Sequence, residues 1–208
     1  MRLVPCLIGL AITPAALLAQ APPQTAAPVA APSADPLPEA QQIAAAVLPL
    51  PAEFRDGARV LGYRTGSARL VMLREGTGPF TCLASDPAVP RFHVACYHQS
   101  LEPFMARGRA LRTEGVKGER VDTVRFAEVK AGKLAMPKHP ALLYSLTGPK
   151  DSFDPAAGTT KGARQLVVIY MPGATAASTG LSAKPAEGTP WIMFPGTPKA
   201  HVMFVPRM

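Results

Sequence analysis

The sequence predicts an α+β fold, a mostly antiparallel sheet with two central helices packed on it. Three observations carry that expectation. Short strand-like runs are joined by turns bearing Gly, Pro and Asp. A simple antiparallel register between two of these runs sets Cys82 opposite Cys96. Two stretches between residues 101 and 131 repeat apolar side chains at helical spacing.

Taken in chain order, residues 42–50 are Ala-rich and helix-compatible, and Pro49 and Pro51 stop them. Residues 58–63 and 68–74 read as two strands joined by a Thr65-Gly66 turn. Residues 76–79 form a turn, 80–84 a third strand and 92–98 a fourth, with a Pro-rich loop over 85–91. Ser100 is a good N-cap for a helix over 101–114, in which Leu101, Phe104, Met105, Gly108 and Leu111 share a face; Pro103 falls in the first turn, where its missing N–H costs little. Arg107, Arg109 and Arg112 are expected to be exposed along it. A second helix, over 119–131, carries Val121, Val124, Ala127 and Glu128 and ends at Gly132.

Residues 142–146 read as a short strand and 152–164 as a polar loop. The β-branched, apolar run 165–171 suits a strand buried on both faces. Residues 174–187 lack apolar bulk and read as a long loop. Residues 191–194 and 201–205 flank Pro195-Gly196-Thr197-Pro198-Lys199-Ala200, whose turn chemistry predicts a closing hairpin.

The first forty residues address the chain to export. Arg2 precedes a short apolar stretch, Leu3 to Leu18, and small residues follow at Ala19 and Ala21. Residues 1–21 are thus expected to be a signal peptide, with the mature chain beginning near Gln20 or Pro22 and lying in the periplasm or outside the cell. The alternative is an uncleaved anchor, but the stretch is short for a membrane span and is broken by Pro5 and Pro14. Residues 22–41, rich in Ala and Pro, read as an extended spacer without a core of its own. Residues 42–208 then form a single exported domain, and no later apolar run is long enough to cross a bilayer.

Removing the leader takes Cys6 away and leaves Cys82 and Cys96. An even pair in an oxidising compartment reads as a disulfide. The alternative is a reactive thiol, which needs an exposed, electropositive setting.

From Gln42 onward there are 21 Lys and Arg against 12 Asp and Glu. Nine of the basic residues fall between Met105 and Lys138. That excess suits an anionic ligand or a cell-envelope component. Interspersed Glu114, Glu119, Asp122 and Glu128 favour a solvated basic face instead, and no specific nucleic-acid motif is present.

His93, His98, His139 and His201, with Glu102, are the residue types that suit zinc. The spacing opposes a simple site. A strand places His93 and His98 on opposite faces, and neither His-x-x-x-His nor Cys-x-x-Cys occurs, so no metal and no cofactor is expected. No Gly-x-Ser-x-Gly elbow is present for nucleophilic catalysis. Two function classes remain: a non-catalytic exported domain that binds a ligand or cell-envelope partner, or a metal-assisted hydrolase using His98, Glu102 and another histidine. The expected ligand-binding residues are His98, Glu102 and Arg107, at a strand-to-helix junction with free N–H donors, and Phe80 should supply an apolar wall opposite His98.

The run from Arg91 to Gly108, RFHVACYHQSLEPFMARG, resembles a segment of a family of uncharacterised secreted bacterial proteins. The Gly76-Thr77-Gly78-Pro79 turn and the Pro195-Gly196-Thr197-Pro198 hairpin are similar too. The resemblance implies a bacterial exported protein with no assigned activity, and it transfers no catalytic or binding residue.

Overall fold

The computed structural model describes residues 35–206. The expected signal peptide, Cys6 and spacer residues 22–34 lie outside the described residues. Two helices open the described chain, α1 (Glu39–Ala46) and the short α2 (Ala52–Arg55), followed by strands β1 (Arg59–Gly62), β2 (Val71–Arg74), β3 (Phe80–Leu83) and β4 (Phe92–His98). A 3-10 turn, Gln99–Leu101, runs into α3 (Glu102–Thr113), and α4 (Arg120–Lys130) follows. The chain continues through β5 (Ala141–Gly148), β6 (Phe153–Asp154), β7 (Thr159–Thr160), β8 (Arg164–Tyr170), α5 (Ala176–Thr179), β9 (Trp191–Met193) and β10 (His201–Phe204).

Eight strands form one sheet in the order β2-β1-β3-β4-β5-β8-β10-β9, and β6 and β7 pair separately. Every neighbouring pair in the large sheet is antiparallel except β1 and β3, which run parallel. The fold is therefore α+β with a large, mostly antiparallel sheet. In the β3–β4 ladder Cys82 faces Cys96 and Phe80 faces His98. The two cysteines are joined in a disulfide and are wholly buried.

The pleat sorts side chains by period two. Phe80, Cys82, Val94, Cys96 and His98 lie on one face; Leu83, His93, Ala95 and Tyr97 lie on the other. Over the first face, Ala46, Val47 and Leu50 pack with Val60, Phe80 and both cysteines, while Ala45 packs with Phe92 and Val94. On the second face, Tyr97, Leu101, Val168 and Tyr170 cluster with Met105 and Leu143. Residues 46–50 thus pack on the first face, and Leu101 of the 3-10 turn and Met105 of α3 pack on the second.

The expected helix over 42–50 is displaced to Glu39–Ala46. Pro49 explains its end, because a proline ring clashes with the carbonyl four residues earlier and pushes the preceding residue out of the helical region. At the other helix end that was expected, Gly132 adopts φ 70° just past α4, and the N–H of Lys133 donates to the Glu128 carbonyl at 2.9 Å. Ser100 does not cap α3. Its N–H instead donates to the His98 ring at 3.2 Å, which makes His98 the cap of the 3-10 turn.

β6, β7 and α5 form where loops were expected. β6 and β7 close a hairpin in which Asp154 Oδ1 accepts from the N–H groups of Ala156 and Ala157. α5 starts with a capping box between Thr175 and Ser178. α2 is held from outside, because Arg74 donates to the carbonyls of Arg55 and Ala58 at 2.6 and 3.0 Å. In β8, Val168 and Tyr170 are buried but Val167 and Ile169 are only half-buried, since the packing of α1 is centred on β3 and β4.

Candidate functional site

His98 ends β4, half-buried, where the chain turns from strand to helix. Phe80 stands beside it from the neighbouring strand, ring edge to ring face at 5.8 Å. The segment before β5 brings Lys138 and His139 across from them. Together these residues and Ser100 line a cavity of about 230 Å³, with apolar walls that include Pro137, Pro140 and Leu142. Its titratable groups are one lysine and two histidines, with no carboxylate among the lining residues. The Ser100 N–H and its hydroxyl, 2.8 Å from His98 Nδ1, both engage that nitrogen. Nδ1 is therefore an acceptor, and the neutral ring carries its proton on Nε2. The site can offer an anion hydrogen-bond donors and positive charge against an apolar background.

Glu102 and Arg107 are placed elsewhere. Because side chains alternate along β4, Tyr97 faces away from His98, and Glu102 goes with Tyr97. The Tyr97 hydroxyl donates to Glu102 Oε2 at 2.6 Å and accepts from Arg109 at 2.7 Å, while Arg109 also donates to Glu102 Oε1 at 2.6 Å. Burial pushes the Tyr97 hydroxyl well above the usual phenol range, with Glu102 adding to the shift and Arg109 opposing it. Arg107 grips Glu128 through both carboxylate oxygens and reaches Glu114 at 3.0 Å. Neither Glu102 nor Arg107 lines the His98 cavity. Both Arg107 and Arg109, expected to be exposed along the helix, are half-buried in ion pairs.

A second charged cluster ties α4 to the closing hairpin. Arg125, only 4% exposed, lies over the Phe104 ring at 3.8 Å and donates to the Phe104 carbonyl and to Asp122. Lys199 donates to the other Asp122 oxygen at 2.8 Å. Burial raises the Asp122 pKa, but the bonds and charges of Lys199 and Arg125 outweigh it and hold the carboxyl below its usual range. Beside this cluster, His201 packs at a tilt against the Tyr170 and Phe194 rings and meets the Lys199 carbonyl at 2.7 Å. Burial lowers the His201 pKa and pushes the Tyr170 hydroxyl up to about 12. Arg125 had no signal in the sequence beyond its place one turn from Val121 on the helix.

His93 lies on the face opposite His98 and meets the Thr147 hydroxyl at 2.7 Å. Among the described residues, no three His, Cys, Asp or Glu side chains form a group that could hold a metal ion. Among the same residues, no helix is long and apolar enough to cross a membrane. Comparison with family models, with curated proteins and with solved structures found no match to this chain.

Proposed function

We propose that this chain is an exported, non-catalytic domain that binds a small anionic ligand, free or carried by a cell-envelope component, in the His98 cavity. The observation that carries this reading is the lining itself. His98, Lys138 and His139 meet around one concavity without a carboxylate, and Phe80, Pro137 and Leu142 wall it with apolar surface. The basic stretch between Met105 and Lys138 argues less for a polyanion, because Arg107, Arg109 and Arg125 are already paired with acids. A disulfide between the two cysteines that remain after leader removal is what an oxidising compartment permits, and it supports the export reading together with the resemblance to secreted bacterial proteins. In the same reading α3 and α4 form a two-helix layer on the Tyr97 face, α3 and the 3-10 turn before it resting through Met105 and Leu101, and α4 joined to α3 by Arg125 over Phe104. The metal-assisted hydrolase has no comparable support, since Glu102 is engaged with Tyr97 on the far side of the strand from His98.

Titration calorimetry with benzoate tests the site, with benzyl alcohol as the neutral comparison. Benzoate should bind saturably and more tightly than the alcohol, and Lys138→Met and His98→Gln should each weaken it. Equal affinity for the two probes, or no effect of either substitution, refutes the reading. Export is tested by the intact mass of protein secreted with its own leader, which should begin near Gln20 or Pro22.

A further inference from the structure

The opposite face of the sheet holds a second concavity, at the end of β1 and β3, that the reading above does not use. It has a volume of about 170 Å³ and is lined by Tyr63, Asp86, Arg91 and His93 over a floor that includes Leu70, Leu83 and Ala95. That is smaller than the roughly 300–1,000 Å³ of clefts for drug-sized ligands.

Its two charged side chains are not consumed in ion pairs, and the hydrogen bond that Asp86 accepts from the Ala88 N–H leaves the carboxylate its charge. Among the described residues, neither Asp86 nor Arg91 takes part in an ion pair, with each other or with any other side chain. The cavity therefore presents one acid and one base over an apolar floor. An acid and a base that share a concavity without pairing leave both charges available to a ligand that carries the complementary pair.

The walls are preorganised. The Gln42 side chain accepts from the Tyr63 N–H at 2.9 Å and donates to the Tyr63 carbonyl at 2.9 Å, which fixes that residue past the end of β1. The 85–91 loop carries both charges, and Lys150 pins it by donating to the carbonyls of Asp86, Pro87 and Val89 at 3.1, 3.0 and 2.8 Å. Asp86 Oδ1 accepts from the Ala88 N–H at 2.9 Å, orienting the carboxylate within the loop. Tyr63 faces the same carboxylate: burial raises its hydroxyl pKa and Asp86 raises it further, so the phenol stays protonated as a donor. Desolvation and the Arg91 charge both lower the His93 pKa, which disfavours a second cation at this site.

We propose that this cavity is a binding site for a free α-amino acid with an apolar side chain. The ammonium would pair with Asp86, the carboxylate with Arg91, and the side chain would lie on Leu70, Leu83 and Ala95. A peptide terminus offers only one of the two charges, so a free amino acid is the species that satisfies both.

Calorimetric titration of the exported protein with L-leucine, L-leucinamide and N-acetyl-L-leucine tests the assignment, with amide chemical shifts to locate the site. L-leucine should bind at one site and shift the amides of Ala84, Ala88 and Ala95. Blocking either charged end should weaken binding about tenfold or more, the expectation for losing a charge-assisted bond. Asp86→Asn should abolish the preference for leucine over its N-acetyl form, and Arg91→Gln the preference over its amide. Both substitutions are at residues with solvent access, and near-UV circular dichroism checks that each variant keeps the fold. No saturable binding of L-leucine or L-phenylalanine overturns the proposal. So does leucine binding that both variants retain unchanged, or shifts confined to Ser100 and His139, which would place the ligand in the His98 cavity instead.

Discussion

Breaking the Cys82–Cys96 link without removing an atom gives a sharp test of what holds the β3–β4 pair. The cysteines are 14 residues apart in sequence, so the cross-link closes a loop of about fifteen residues. Freeing such a loop restores entropy to the unfolded chain worth about 3 kcal/mol. The native state should lose little beyond that, because backbone pairing from Phe80–His98 to Leu83–Ala95 joins the two strands independently of the sulfur bond. For a domain of this size a loss of 1 kcal/mol lowers Tm by about 2–4 °C, so reduction should lower it by about 6–12 °C. Both sulfurs are inaccessible in the folded protein, so the reductant must be equilibrated through the unfolded state. Urea unfolding with and without a phosphine reductant measures the difference. The Cys82→Ala/Cys96→Ala variant should fall below the reduced wild type, since it adds two sulfur-sized voids to a closed core. Equal unfolding free energies for oxidised and reduced protein, or two thiols alkylated in native protein without reductant, would refute the reasoning.

Asp122→Asn leaves the buried Arg125 and the Lys199 ammonium without their shared carboxylate; urea unfolding should show a loss of about 3 kcal/mol, against less than about 0.5 kcal/mol for Glu119→Gln at the exposed start of α4. Tyr97→Phe removes a hydroxyl that bridges Glu102 and Arg109, two partners that remain paired, and should cost about 2 kcal/mol by the same measurement. His201 has a depressed pKa, so the unfolded chain takes up the proton first as pH falls. Its contribution is complete above about pH 6.5 and is lost as pH drops through the lower folded value, so unfolding at pH 7.5 and 5.5 should show a decline that His201→Gln partly flattens. His93 is shifted in the same direction and accounts for part of what remains.

Much of the sheet was legible because its signals are local. The strand 92–98 was expected with the bounds that β4 has, and Phe80 and Cys82 were placed opposite His98 and Cys96. One connecting loop of Pro and Asp sets that register, and alternation does the rest. The two central helices fall within a residue of their expected ends for the same reason. The Thr175–Ser178 box of α5 is a local signal, while α2 depends on Arg74, 19 residues from the carbonyl of Arg55 that it grips. The acids interspersed in the basic stretch, Glu114, Asp122 and Glu128, were legible in the sequence, but their pairing with Arg107 and Arg125, and the burial of Arg125, were not.

By itself, then, the sequence determined the α+β class, the β3–β4 register with its disulfide, and His98 with Phe80 at its side, since each depends on neighbours within a short span of chain. Only the tertiary structure decided that α1 would cover the cysteine face, that Asp122 would bond Lys199 from 77 positions away, and that residues 137–140 would close over His98 while Glu102 turned to Tyr97. Those outcomes follow from how whole layers stack to bury apolar surface and satisfy buried charge, and no window of sequence contains both sides of such a contact.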